Sequence, residues 1–450
     1  MSHRISRREA LGVGLAGGLL APIAGISAAA RARQVDQHPP LAGPRINFVQ
    51  FEKVLDQLGL DGLVLSSGVN VQYVTGVRPV ITRMGLPPSA FAVVCRNEKR
   101  RLAVACAAFT YYYTMADVQA SSPIPIFMYS QSATALKQDD LSGLGMFEDR
   151  GEAPVEALEA KRISATRRAA EEAGVFDTPA KSLTAALDWL GLKNSRLGVD
   201  DPATARLIAE AAPEAMVVGA DDALRRIRPV KSDVEIKLMR QSAAANAEAA
   251  LEAAQTIRAG GGYRDLRATF FAAAARRGHR GVFMVVDRVS DDMYESDFRE
   301  GQSLLIDCVS EYQGYHGDYG RTVFVGEPRA SMRRVTTVLG QAWDQVREAL
   351  RPGLSFDDIR GLGNDALRGL GVSYRVPFSP HSVGLYHSDH VGQTGLASLP
   401  MVLEPGMVIS VDCPLLESGV GGSAHLEDLV LITSDGAELL NDPGNQVIIV

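Results

Sequence analysis

At 450 residues the chain is long enough for two domains with proper cores. A hydrophobic content of 46% and a charged content of 22% are ordinary for a globular protein and suggest neither a disordered chain nor an integral membrane protein. A formal net charge of −7 argues against nucleic acid or an anionic membrane as the main partner.

The first 32 residues read as a targeting segment. Arg4, Arg7 and Arg8 precede an uncharged run from Ala10 to Ala30 that is rich in glycine and alanine. Ser6 to Leu11 (SRREAL) resembles the twin-arginine export signal, with Ala10 where that signal usually has Phe. Ala30-Arg31-Ala32 offers a small-residue cleavage site, so the expectation is a signal peptide over 1–32 and a periplasmic or exported protein. An uncleaved membrane anchor is the alternative, because the run is just long enough to span a bilayer. Low hydrophobicity and small terminal residues favour cleavage, after which no stable membrane insertion is expected. The four cysteines, Cys95, Cys106, Cys308 and Cys413, make no dense disulfide framework, and Cys308 and Cys413 read as buried core thiols.

Residues 33–44 are polar and proline-rich and read as a lead-in. Phe48, Phe51, Val54, Leu55 and Leu58 then recur at helical spacing. LDGLVLSS follows as a strand, and further apolar strand candidates lie at 91–95, 101–106 and 196–200. They alternate with helical stretches at 154–173 and 181–190, which predicts an α/β domain over 45–220. Nothing in it has a recognisable catalytic spacing.

A second domain, 221–450, opens at RRIRPVKSDVEIKLM. There Ser232 and Glu235 form a capping-box pattern, and Gly260–Gly262 are expected to end the helix. Five residues of metal-ligand type follow in the order Asp307, Asp318, His381, Asp412 and Glu427. Acids at the ends of apolar strands are costly unless a cation neutralises them. Four carboxylates and one imidazole suit Mn, Co, Zn or Fe, and suffice for two ions if some carboxylates bridge. Two ions about 3.5–4 Å apart would activate water and clamp a tetrahedral intermediate.

GYHGDYGRTVFVGEP, HSVGL, LEPGMVIS and HLEDLVLIT, in this order over roughly 228–440, resemble the creatinase, Xaa-Pro peptidase and methionine aminopeptidase superfamily. NVQYVTG resembles a segment of that family's N-terminal domain. The resemblance implies an α/β two-domain protein: a creatinase-type α/β domain followed by a pita-bread catalytic domain, an α+β fold whose antiparallel sheet has a pseudo-twofold. It implies a homodimer and two divalent metal ions, manganese expected first. It also implies cleavage of an amide bond in a small peptide or peptide-like substrate by a metal-bridging hydroxide, with an Xaa-Pro aminopeptidase or dipeptidase as the natural label.

Residue by residue, Asp307 would hold one metal, Asp318 and Glu427 would bridge two, and His381 would be the single histidine ligand. Asp307 and Asp318 are eleven residues apart, as in the family, and a turn at Gly314–Gly317 would set their strands face to face. Asp412 stands where most relatives have Glu. It is expected as a ligand and, with Glu427, as a proton shuttle. His387 follows His381 by six residues instead of the usual seven and is expected to steady the oxyanion, with His390 as competitor. His316 could be metal-proximal, or a supporting or surface residue. Two departures bear on proline specificity: Ser290 where many relatives have a substrate-binding histidine, and His425 where many Xaa-Pro enzymes have Arg. The alternatives are a creatinase-like hydrolase or lyase acting on another C–N bond, and an inactive binding homologue.

Overall fold

The computed structural model describes residues 43–79, 81, 84–117, 124–130, 154–390, 400–441, 444 and 446–450. The expected export segment, its cleavage site and nearly all of the lead-in lie outside these residues. No helix among the described residues is long and apolar enough to cross a membrane.

The helix Phe48–Leu58 forms where the apolar spacing predicts it. Asn47 caps it by accepting a hydrogen bond from the Gln50 N–H at 3.1 Å, and Gly59, at φ +63°, ends it. Seven strands then build the first sheet: β1 (Gly62–Leu65), β2 (Ala90–Cys95), β3 (Leu102–Ala107), β4 (Ile126–Tyr129), β5 (Val175–Phe176), β6 (Arg196–Val199) and β7 (Met216–Gly219). Their order is β5-β4-β3-β2-β1-β6-β7, and only β2 runs antiparallel to its neighbours. Helices cover both faces, which is why these strands read as continuous apolar runs: Leu63 and Leu65 enter one core and Val64 the other.

The second sheet is mostly antiparallel and has the order β11-β12-β13-β10-β9-β8. Its strands are β8 (Arg280–Val286), β9 (Ser303–Tyr312), β10 (Tyr315–Phe324), β11 (Ser379–Ser382), β12 (Val408–Asp412) and β13 (Leu426–Ile432). β14 (Ala437–Leu439) pairs with β13, and β15 (Val447–Ile449) runs parallel beside β10. The helices Asp233–Ala254 and Tyr263–Arg276 pack on the β8–β10 half, and Ala330–Ala349 and Phe356–Gly369 on the β11–β13 half. This is the two-domain α/β plus curled-sheet architecture expected.

Two local expectations are corrected. The capping box of Ser232 and Glu235 is present, but the helix ends at Ala254, well before Gly260–Gly262. There the Thr256 hydroxyl takes the Ala253 carbonyl at 2.7 Å and closes the last turn. The β9–β10 turn lies at Gln313–Gly314 instead of Gly314–Gly317, and β10 begins at Tyr315. Gln313 and Gly314 have φ of +49° and +88°, the paired positive values of a two-residue hairpin turn whose twist suits the strands.

The first domain braces this turn. Arg45 Nη1 donates to the Gln313 carbonyl at 2.8 Å, and a side chain at Gly314 would collide with Gln72, its Cβ only 2.8 Å from Gln72 Oε1. Deeper in, Asp389 accepts from Arg228 and, at 3.1 Å, from Lys231, and Arg228 also donates to Asn70 Oδ1 at 3.0 Å. The N-terminal domain thus holds the hairpin and, through Asn70 on Arg228, backs the 384–390 loop that flanks the acidic cluster.

Candidate metal centre

Strand register assembles the cluster. Asp307 is directly opposite Gly320, Gly320 is directly opposite Glu427, and Asp318 lies two residues from Gly320 on β10. Directly opposed residues, and residues two apart on a strand, point to the same face. Asp307, Asp318 and Glu427 therefore share a face, with the glycine between them. Asp307 and Asp318 meet diagonally across the antiparallel pair, Asp307 standing opposite Gly320. His381 on β11 is opposite Ser410 on β12, and Asp412, two residues on from Ser410, completes the same face. All five residues expected as ligands are brought together.

His381 turns Nδ1 to the backbone carbonyl of His387 at 3.0 Å, which leaves Nε2 facing the acids. That nitrogen lies 3.4 Å from Glu427 Oε1 and 3.5 Å from both Asp318 Oδ2 and Asp412 Oδ2. His387 is also in the group, with Nε2 3.1 Å from Asp318 Oδ2 and its ring edge-on to Phe283. His390 is not: its ring is buried against Phe356, and Nδ1 accepts from the Ser382 N–H at 3.3 Å. Burial pushes it down to about 4, so it is neutral at ordinary pH. His316 is buried too, its Nδ1 at the Gly384 carbonyl, where it fastens the loop. Ser290 lies beyond β8, and Phe283 of that strand is what walls the site beside His387.

Two neighbours escaped sequence reasoning. The Ser410 hydroxyl donates to Glu427 Oε1 at 2.7 Å, and the signal for it was period two along VISVD, which puts Ser410 on the face of Asp412. Phe283 carried no such signal, since an aromatic in an apolar strand is ordinary core.

The electrostatics are those of a site waiting for cations. Burial, then Glu427 and Asp318, hold Asp307 well above the usual carboxylate range. Burial and Glu427 do the same to Asp318, and raise Asp412 to about 6. Burial would raise Glu427 as well, but hydrogen bonds with His381 and His425 take it well below. Asp307 Oδ1 and both carboxylate oxygens of Asp318 are buried and accept no hydrogen bond among the described residues. Buried carboxylate oxygens without donors are expensive. The donor set is rich in oxygen with imidazole nitrogens at its rim, and it forms three overlapping trios: Asp318–His381–His387, Asp307–His425–Glu427 and His381–Asp412–Glu427. These residues fit divalent metal ions. The cysteines are all free and buried, so Cys308 and Cys413 form no disulfide.

Fold and site together set a buried cluster of carboxylates and imidazoles, fit for divalent cations, on a curled antiparallel sheet behind an α/β domain. Residues 237–434 match the model of metallopeptidase family M24. Over 240 residues it is 30% identical to a probable dipeptidase PepE of Mycobacterium tuberculosis, covering 51% of this chain and 63% of the relative. It is 25% identical over 236 residues to an Xaa-Pro dipeptidase of Pyrococcus furiosus, covering 49% and 65%. The match thus spans less than two thirds of the length of either relative. Among solved structures, a prolidase from Pyrococcus horikoshii superimposes with TM-score 0.62 at 17% identity, covering 89% of this chain and 99% of that one. Dipeptidase PepE from Mycobacterium ulcerans gives 0.58 at 20% identity, covering 90% and 99%. These likenesses show the fold across both domains.

Proposed function

We propose that the protein is a metallopeptidase that cleaves the amide bond of small peptides in the manner of an Xaa-Pro dipeptidase or aminopeptidase, using two divalent metal ions. The observation that carries this reading is the convergence of Asp307, Asp318, His381, Asp412 and Glu427 with buried carboxylate oxygens that no donor satisfies. Bound there, divalent cations would polarise the scissile carbonyl and lower the pKa of water.

The chain's own residues divide the remaining work. Glu427 is buried and held by Ser410 and His425, so its part is to fix the cluster. Asp412 has 32% of its side chain exposed and no such clamp, which makes it the better proton acceptor at the mouth of the site. His387 has 31% of its side chain exposed and can donate to the developing oxyanion. Phe283 keeps water from that side. Manganese is the expected first occupant, and a homodimer exported through its twin-arginine segment is the expected form.

A panel of dipeptides with and without proline at the second position, run on metal-replete protein of measured metal content, tests this reading. Hydrolysis that depends on added divalent metal supports it; metal-loaded protein inactive on every dipeptide overturns it. The shorter carboxylate at Asp412 and the His425 substitution favour one alternative, a related C–N bond cleaved in a rebuilt pocket.

A further inference from the structure

We propose that His425 is a further ligand of this centre, supplying a nitrogen donor at the Asp307 end as His381 does at the Asp318 end. The inference rests on the metal-dependent reading above. His425 is only 2% exposed, and its Nε2 lies 3.0 Å from Glu427 Oε2 and 3.7 Å from Asp412 Oδ1. With Asp307 and Glu427 it forms a trio whose donor atoms all lie within 4.8 Å of one another.

The fold has made room for the ring. A Cβ at Gly320 would stand 2.3 Å from His425 Nε2, so the absent side chain is the space the imidazole occupies. Thr322 fixes the backbone there, its hydroxyl accepting from the His425 N–H at 2.9 Å. Ser410 holds Glu427 by Oε1 at 2.7 Å, so the carboxylate stays anchored when the His425 nitrogen beside Oε2 turns to a cation. The Asp307 end otherwise offers only oxygen, and the donor that reaches it from the mouth is Asp412, one methylene shorter than the glutamate usual there.

A nitrogen at each end has a chemical consequence. Imidazole favours borderline cations such as zinc, cobalt or ferrous iron over manganese, so a second nitrogen donor moves the preference away from the manganese that the family resemblance implies first.

X-ray absorption at the zinc edge, on full-length chain loaded with zinc alone, counts imidazoles per metal. His425→Gln, or His425→Asn if the first variant does not fold, should lower the average by about half an imidazole per zinc in a two-zinc centre. It should also weaken the less tightly held zinc by about tenfold or more in calorimetric titration. Parent protein with two zinc ions and an unchanged imidazole count in the variant overturns this inference alone. Parent protein that takes up no zinc, cobalt or manganese overturns both it and the metal-dependent reading.

Discussion

Gly320 and His425 share one space: a side chain at 320 would lie 2.2 Å from Cδ2 of the His425 ring. Gly320→Ala must therefore displace the imidazole or bend β10, at a cost of about 1–3 kcal/mol, the usual penalty of overpacking. Gly361 is the contrast. It sits exposed inside the helix Phe356–Gly369 with nothing within 4 Å of its would-be Cβ. Gly361→Ala should stabilise the protein by up to about 1 kcal/mol through helix propensity. Urea unfolding of the two variants should give shifts of opposite sign; equal shifts would mean that the close packing at 320 is not real.

Charge at Asp318 should destabilise the metal-free protein and stabilise the loaded one. Both its carboxylate oxygens are buried without donors, and Glu427 adds like charge. In chelator at pH 8, Asp318→Asn should be more stable than the parent by about 1–3 kcal/mol, because a neutral amide relieves an uncompensated buried charge. With zinc or manganese added, the order should invert, since the variant binds metal poorly. Thermal unfolding with and without metal checks both halves. A variant less stable than the parent in chelator would mean the carboxylate is satisfied without a cation.

The buried ion cluster of Asp389, Arg228 and Lys231 makes a separate prediction. Burial would raise Asp389, yet Arg228 and Lys231 hold it down to about 2. Asp389→Asn leaves two cations buried without their counter-charge and should cost about 3–5 kcal/mol. Removing the exposed Lys53–Glu404 pair by Lys53→Ala should cost under about 1 kcal/mol, although that pair is closer, at 2.7 Å, than the 3.1 Å of Lys231 to Asp389. Denaturant midpoints of the two variants decide it, and similar losses would remove the argument from burial.

What the sequence shows of this protein is its local grammar. Phe48–Leu58 is legible because apolar spacing, cap and terminal glycine agree, and β1, β2, β3 and β6 because they are short apolar runs bounded by turn residues. The five cluster residues are legible as strand-end acids and one histidine in family order. The hairpin turn was misplaced because GYHGD looks more turn-like than Gln313–Gly314, whose positive φ pair is selected by the twist of β9 and β10. The long-range partners of Arg45, Gln72 and Asp389 could not be read at all, since Gln313, Arg228 and Lys231 lie more than 150 residues from them and no local pattern marks such a bond. Ser410 falls between these cases, on a readable strand face but with an unreadable partner.

His279 gives a pH dependence well away from the metal centre. Its ring is buried and stacked on Tyr312, with Nδ1 2.9 Å from Ser310 Oγ. Burial and Arg277 lower it from 6.5 to about 4, against a smaller upward pull from Glu311. A histidine depressed in the folded state is protonated more readily when unfolded. Its contribution to stability is therefore present above pH 6.5 and is lost as pH falls through 6.5 toward 4, up to about 3 kcal/mol. The stability gap between parent and His279→Asn should shrink over that window and be flat above pH 7.5. A gap that widens on acidification would show that the ring is charged in the folded protein.

Asp412 is the exposed carboxylate of the cluster, and a three-member series tests its part. Asp412→Ala should lose metal at one position and nearly all turnover, because it removes both a donor and a proton acceptor. Asp412→Asn keeps the shape but not the charge, so turnover should fall by roughly 10²-fold or more, the scale of a lost acid–base group. Asp412→Glu separates the peptidase reading from its alternative. The side chain stands at the mouth of the site, 32% exposed, with Oδ1 3.7 Å from His425 Nε2 and Oδ2 3.5 Å from His381 Nε2, which leaves room outward for a methylene. If the site is a peptidase that tolerates a shortened carboxylate, the longer one should preserve or raise dipeptide hydrolysis, with kcat moving more than KM. If the pocket is built around aspartate for another C–N bond, glutamate should crowd the cluster and abolish the native activity without creating dipeptide hydrolysis. Full activity in Asp412→Ala would take this residue out of the mechanism.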